Sequence, residues 1–339
     1  GAMPVFAVEQ DEGVFNTASV YNVESTEFQP NDAVVIDGDE ADVVTLEEDK
    51  AYAILYADGT LVFQRGGELD SSHGDLVGGP WTGFEESGSW ERGWKKNTGD
   101  ITSVIINDPI SPKKLKEWFM GCVNLVTVEG LNNVTLNGDD MGHMFRGCTS
   151  LEEISFEGIE THDAMFMDCL FYGCTNLKSV DMTGLDTENC FSFVSMFCKC
   201  SSLVFVNLST LNTSFCADMV AMFEGCSSIE EIDMSNFDMS QLSETRTMFK
   251  GCSSLKRIVM GENFVPSGAR STVSMFEGCG SLTSIETNNF DMSNVRSASR
   301  MFFGCEGLTE LDLTNWDMGK MSNTTDILTG CNNLHTIIV

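Results

Sequence analysis

Cysteine is the residue type whose number and spacing in this chain most suggest chemistry. Nine of the 13 cysteines recur every 26 residues, with one interval of 27. Thiols in such a column could form disulfides or bind a soft metal. Nine in one column cannot all pair, however, and small apolar thiols are commonly buried. We therefore predict one buried thiol per repeat. These ladder cysteines are Cys122, Cys148, Cys174, Cys200, Cys226, Cys252, Cys279, Cys305 and Cys331.

Four cysteines lie outside this column. Cys190 and Cys216 share one position in adjacent repeats, so they are the best candidates for a disulfide, whereas Cys169 and Cys198 have no such relation. The shared position belongs to an apolar face, where Leu242 stands in a later repeat, and this favours buried thiols over a disulfide.

Aspartate recurs in the turns of the repeats, where stacked carboxylates could bind calcium. Capping of the turn backbone is the alternative, and we favour it because Asp and Asn side chains commonly bond nearby amides. These residues are Asp186, Asp238, Asp291 and Asp317, with Asn212 in the same position.

Catalysis has little support in the sequence. His73, His143, His162 and His335 hold no fixed relation to a cysteine or serine of the repeat, and no phosphate-binding loop, dinucleotide motif or zinc motif is present. The sequence therefore predicts no enzymatic activity, no cofactor and no metal centre.

Two apolar periods surround each ladder cysteine. Apolar residues follow it at three, six and eight positions, as in Leu151, Ile154 and Phe156, and the last two alternate as in a strand. Before the cysteine they stand ten, seven and three positions away, which is the spacing of one helix face. Each unit is predicted to be a strand, a turn and about two helical turns, and neighbouring units must stack to bury their apolar faces.

The repeat phrase resembles that of a known family. Met222-Phe223-Glu224-Gly225-Cys226 and the turn Ser235-Asn236-Phe237-Asp238 are similar to the BspA-like leucine-rich-repeat proteins of microbial surfaces. The similarity covers roughly residues 120–339. It implies an α/β solenoid of right-handed leucine-rich repeats with a parallel sheet, secreted or attached to the cell surface, and often adhesive. The usual turn of the family is degraded here, as in Thr161-His162-Asp163, and no functional residue carries over.

The chain divides into four segments on composition and pattern. We assign 1–3 to a cloning scar, 4–45 to an acidic leader, 46–110 to a β-rich N-terminal cap, and 111–339 to a solenoid of about eight units, beginning with a helix at Ser111. A hairpin is predicted at residues 51–64 around Asp58-Gly59, followed by a strand at 102–106 and a Trp-containing loop at 81–94. The chain stops on a strand, where we expect Leu334 and Ile337 to be buried and Ile338 to face outward; a longer native protein would explain this.

The net charge of −32 argues against nucleic-acid and anionic-membrane partners, and no run of residues is apolar enough to span a membrane.

A binding surface is predicted on the outward face of the strands, five and seven positions after each ladder cysteine. Exposed aromatic residues and Arg are favoured interface anchors, which draws attention to Phe205 and Arg257. The first hypothesis is a cell-surface recognition or adhesion module for a host or neighbouring-cell protein or glycan; the alternative is a rigid spacer with no ligand. The candidate residues are Phe205, Asn207, Glu231, Asp233, Arg257, Val259, Glu286 and Asp312.

Overall fold

The computed structural model describes residues 45–86, 93–261 and 264–339. Apart from Thr45, the predicted leader of 4–45 and the scar lie outside these residues. The predicted hairpin is confirmed: β1 (Thr45–Tyr56) and β2 (Thr60–Glu68) pair antiparallel around Gly59, whose φ of 88° suits glycine. Strand β3 (Leu76–Trp81) pairs with the free edge of β1.

The strand pairing changes from antiparallel to parallel at β2, and the sheet continues into the repeats. Strand β2 pairs in parallel with β4 (Ser103–Ile106), and β4 pairs in parallel with β5 (Thr127–Glu129). The order is therefore β3-β1-β2-β4-β5. The hairpin thus pairs with the first parallel strand at this end of the repeats, and Leu61 and Phe63 join the same core.

Aromatic residues close the core beneath this sheet. The ring of Phe63 stacks on Trp118 with 5.3 Å between centroids, and it meets Trp94 edge-on at 5.2 Å. Trp94 lies in a 3₁₀ helix (Gly93–Asn97), and its Nε1 donates to the carbonyl of Trp118 at 2.9 Å. The predicted Trp loop therefore contributes Trp94 to the core.

The repeats form a β-solenoid of about nine turns, one for each ladder cysteine. Short parallel strands follow the cysteines in three groups, which pair as β6-β7-β8, β9-β10 and β11-β12. Their bounds are β6 (Glu153–Ser155), β7 (Ser179–Asp181), β8 (Phe205–Asn207), β9 (Glu231–Met234), β10 (Arg257–Met260), β11 (Glu310–Asp312) and β12 (Thr336–Ile338).

The predicted helices are wrong, and so is the α/β class. Ordered helix in the described residues is limited to three 3₁₀ segments: Ser71–His73, Gly93–Asn97 and Leu131–Asn133. The segment from Ser111 consists of turns and irregular backbone, as do the segments before the other ladder cysteines. The handedness of the solenoid stays a prediction.

Backbone geometry explains why no helix forms. The residue five positions before every ladder cysteine has a positive φ, such as 60° at His143 and 53° at Thr247. His143 N donates to the Asp168 carbonyl of the next coil at 2.8 Å, whereas Cys148 N closes a turn onto Phe145. Backbone amides thus donate some hydrogen bonds to carbonyls of their own turn and others to carbonyls of the neighbouring coil. In a helix, every one of these amides would donate to a carbonyl of its own segment. Apolar residues at three-residue and four-residue intervals suit both arrangements.

One phenylalanine per coil stacks through the core. Successive rings of the column lie 5.3–5.9 Å apart between centroids and are nearly parallel beyond the first pair. The coil lengthened by one residue adds Phe264, which stacks on Phe290 at 5.8 Å. The column consists of Phe119, Phe145, Phe171, Phe197, Phe223, Phe249, Phe276 and Phe302.

The final strand keeps the predicted register but not the predicted burial. Ile337 pairs opposite Leu311, yet it is 47% exposed, while Ile338 is 40% exposed and Leu334 is half-buried. The expectation that Ile337 is buried is wrong, because in the part of the chain that the structure describes β12 pairs with β11 alone and no further coil packs over it.

Candidate recognition surface

The predicted binding surface lies on the outward face of the short parallel strands. In β9, Glu231 and Asp233 are exposed, whereas Ile232 and Met234 between them are buried. The ladder places Arg257 opposite Glu231 and Val259 opposite Asp233. Phe205 and Asn207 occupy the corresponding positions of β8. The parallel register therefore aligns residues 26 positions apart within each paired group, and β8 and β9 lie in contact on neighbouring coils without a ladder between them.

The row seven positions after each ladder cysteine caps the turns. Asn207 Nδ2 donates to Asp181 Oδ1 at 3.0 Å, Asp233 Oδ1 accepts from Ser235 N at 3.0 Å, and Asp312 Oδ1 accepts from Thr314 N at 2.9 Å. Hydrogen bonds to these turn residues hold the pKa of Asp233 and Asp312 below the usual carboxyl range. Asp233 and Asp312 are therefore held by hydrogen bonds within their own coils, and Asn207 by a hydrogen bond to the neighbouring coil.

Two consecutive apolar residues are exposed on this face, four and five positions after Cys200. Phe205 is 57% exposed, and Val204, one position earlier, is 56% exposed. Val204 was missed by the prediction, which considered only alternate strand residues. Its signal in the sequence is that charged residues occupy its position in the neighbouring coils, at Lys178 and Glu230.

Ion pairs flank Val204 and Phe205 on both sides. Lys178 Nζ lies 2.6 Å from Glu152 Oε2, on one side. On the other side, Lys256 Nζ lies 2.8 Å from Glu230 Oε2, and Arg257 Nη1 lies 3.4 Å from Glu231 Oε1. Exposed pairs of this kind contribute little to stability, so they can exchange partners at low cost.

The remaining candidates are not contiguous with this group. Glu286 lies in the coil after the lengthened one, where residues 284–286 form no strand, so one coil without a strand separates β10 from β11. Asp312 lies on β11, beyond this interruption. Of the predicted residues, the structure therefore brings together Phe205, Glu231 and Arg257, with Val259 half-buried beneath.

The aspartates of the turns cap backbone amides. Asp238 Oδ1 accepts from Ser240 N at 2.9 Å and Asp291 Oδ1 accepts from Ser293 N at 3.0 Å, with the same bond at Asp186 and Asp317. A possible cation set occurs where His162, Asp186 and Glu188 offer ligand atoms within 4.8 Å of one another. His162 Nδ1 already bonds Asp186 Oδ2 at 2.8 Å, which raises the pKa of that histidine.

A row of carboxyl groups, not singled out in the sequence, lines a pocket of about 210 Å³ elsewhere on the coils. Asp140 Oδ2 lies 3.0 Å from Lys116 Nζ. Asp168 accepts from the Ser192 hydroxyl and from Val194 N, and burial raises the pKa of Asp168. These carboxyl groups join neighbouring coils through their hydrogen bonds.

Eleven of the thirteen cysteines are buried, and Cys169 and Cys331 are half-buried. Burial raises the pKa of Cys198 and Cys216 to about 12, and all thirteen cysteines are reduced, including Cys190 and Cys216. A thiol rather than a thiolate is a poor nucleophile. The histidines bond Asp58, Arg146, Asp186 and Thr336 rather than a thiol.

In the part of the chain that the structure describes, no helix has both the length and the apolar character of a membrane span. No curated protein is detectably similar to the chain in sequence.

Several solved bacterial structures are similar to the chain. A leucine-rich-repeat protein from Bacteroides ovatus is 21% identical over 66% of this chain, with a TM-score of 0.36, and the chain spans 54% of that protein's length. One from Eubacterium ventriosum is 13% identical over 86% of this chain and 95% of its own, with a TM-score of 0.28. A leucine-rich cell-surface protein from Faecalibacterium prausnitzii is 13% identical over 88% of this chain and 95% of its own, with a TM-score of 0.25.

One family profile also matches the repeats. It is described as Mycoplasma protein of unknown function, DUF285, and it matches residues 139–260 and 234–338. These ranges cover more than half of the chain, which therefore belongs to this family.

Proposed function

We propose that the chain is a non-enzymatic recognition module that binds a protein or glycan partner on the outward face of its strand ladder. The observation that carries the proposal is the exposed pair Val204 and Phe205, an apolar centre between polar ion pairs. Interfaces commonly combine such a centre with a polar rim, and aromatic residues and Arg supply much of the binding energy. Arg257 is the Arg nearest in the ladder.

A place at the cell surface is part of the proposal. It is supported by the resemblance of the Met-Phe-x-Gly-Cys phrase and its turn to BspA-like surface proteins. We propose further that residues 46–110 act as a cap on the repeats of 111–339, as the parallel pairing of β2, β4 and β5 favours.

The test begins with binding of the purified chain to an array of matrix proteins and glycans, with and without calcium. We expect a saturable response to one class of partner. Substituting Phe205→Ala together with Arg257→Ala should weaken that binding by about 30-fold or more, the usual effect of losing an interface anchor. Phe215→Ala is the matched control, because Phe215 is 64% exposed but lies outside the sheet face.

Two results would contradict the proposal. Unchanged affinity of the folded double variant would exclude this face as the binding surface. A folded chain that binds nothing on the array would instead favour a spacer.

A further inference from the structure

Three cationic side chains are among those that line a pocket of about 310 Å³ at the flank of the solenoid. Arg270 and Arg296 stand nine positions before consecutive ladder cysteines, and Arg296 N donates to the Arg270 carbonyl at 2.9 Å. Lys320 extends from the next coil and donates to Asn294 Oδ1. Ser267, Gly268, Arg270, Asn294, Arg296 and Lys320 line the pocket.

These cations differ in their partners from most others in the chain. Lys178, Lys256 and Arg300 each lie within 4.0 Å of a carboxylate. In residues 45–86, 93–261 and 264–339, Arg270, Arg296 and Lys320 form no such ion pair, although the chain carries 51 acidic residues.

Glu244 attracts Arg270 and Asp291 attracts Lys320, but among the described residues neither carboxylate forms an ion pair within 4.0 Å of that cation. Glu244 Oε2 lies 3.0 Å from Arg246 Nε, and Asp291 Oδ1 accepts from Ser293 N at 3.0 Å. Three exposed cations on one concave surface repel one another, and a bound anion relieves that repulsion. The pocket therefore has the charge and the donors of an anion site.

We propose that this pocket binds a single tetrahedral oxyanion, sulfate or phosphate. Arg guanidinium groups present forked donors that match two oxygens of such a group, while Lys adds a compact charge. Coils stack about 4.8 Å apart, so three coils span about 10 Å, the scale of one anionic group rather than of a polymer. The acidic remainder of the chain would repel a long polyanion.

The test is calorimetric titration of the full chain with sodium sulfate and sodium phosphate at low ionic strength. We expect saturable binding of one anion per chain, weakened about tenfold or more in the double variant Arg270→Ser, Arg296→Ser. Serine suits this position, because Ser243 and Ser322 occupy it in neighbouring coils. The variant Arg270→Lys, Arg296→Lys should keep part of the affinity.

The matched control removes two cations elsewhere, with Lys113→Ser and Lys250→Ser, whose side chains are 53% and 38% exposed. Its affinity should equal that of the unmodified chain. Equal weakening in this control would overturn the proposal, since it would reveal a response to net charge alone. Failure of the folded, unmodified chain to bind either anion would also overturn it.

A second titration tests whether the site binds the free anion or a sulfate group attached to a saccharide. Glucosamine 6-sulfate is titrated beside inorganic sulfate. Tighter binding of the sugar supports a site for a sulfated saccharide, whereas equal binding supports a site for the free anion; both depend on Arg270 and Arg296. This test uses no partner of the sheet face, so its outcome is independent of the function proposed above.

Discussion

At the scale of single residues, the ladder cysteines act as hydrogen-bond donors between coils. The thiol of Cys226 donates to the carbonyl of Phe197 in the preceding coil at 3.1 Å, and the same bond occurs from Cys148 to Cys331 at 3.0–3.2 Å. Each phenylalanine of the column therefore stacks its ring on its neighbours, and its backbone carbonyl accepts a hydrogen bond from the ladder cysteine of the next coil. Burial, which raises the pKa of these thiols, keeps the donated proton in place.

The partly exposed Cys169 provides a test by thiol labelling. Burial raises the pKa of its thiol to about 11, so at pH 8 its thiolate fraction should be about 100-fold below that of an ordinary cysteine. Labelling of the native chain should be slow, and the rate at Cys169 should rise about tenfold per pH unit until the pH approaches that pKa.

Mass spectrometry of labelled peptides measures these rates, with a cysteine peptide as the reference. After unfolding without a reductant, thirteen thiols should react. Rapid native labelling of Cys169 would contradict the raised pKa, and a deficit of two thiols would indicate a disulfide.

At the scale of one coil, two left-handed residues shape the segment before each ladder cysteine. One stands five positions before it and the other directly before it, as at Thr247 and Gly251 with φ of 53° and 76°. Glycine adopts this region freely, whereas a β-branched residue does so only at a cost. The hydrogen bond that the Thr247 amide donates to the Val273 carbonyl of the next coil, at 3.0 Å, offsets the backbone strain at Thr247.

Opposite substitutions at these two positions test this account. Thr247→Asn should raise the free energy of unfolding by about 1 kcal/mol, since Asn tolerates the left-handed region better than Thr. Gly251→Ala should lower the free energy of unfolding by about 1–2 kcal/mol, because alanine is strained in the left-handed region. A steric clash does not contribute, since the added Cβ would lie 3.6 Å from the nearest atom, Gly225 Cα, which is an ordinary contact distance. Urea unfolding measures both changes. Destabilisation by Thr247→Asn would contradict the interpretation.

At the scale of the whole molecule, the coil after the lengthened one lacks the short strand that follows every other ladder cysteine in the described residues. Residues 284–286 form no strand, so β10 and β11 are separated by one unpaired coil. The Phe column continues across this coil, because Phe276 stacks on Phe302 at 5.4 Å. The core is therefore continuous where the sheet is not, and in stacked repeats such a junction weakens the coupling between neighbours.

Hydrogen exchange should reveal this junction. We expect the amides of residues 284–286 to exchange faster than those of 257–259 and 310–312, the equivalent residues in β10 and β11, since only the latter pair in a ladder. NMR or mass spectrometry of the native chain can compare the three segments. Equal protection in all three would show that the core alone holds the ladder together.

The sequence by itself determined the repeat, its length and its register. The spacing of 26 residues and the alternation after the ladder cysteines predicted the buried thiols and all the short strands except one at 284–286, and Asp58-Gly59 predicted the hairpin. These features depend on local periods, which a one-dimensional pattern records directly.

Tertiary structure alone decided the segment before each cysteine, the centre of the candidate surface and the pocket at the flank. The apolar spacing there fits a helix and a series of turns equally well, and only hydrogen bonds to the next coil select the turns. The exposure of Val204 beside Phe205, and the position of Arg270 and Arg296 on one pocket, result from the stacking of coils and are not visible in a single repeat. Contacts between coils, rather than local propensity, fix these features, because each unit is stable only against its neighbours.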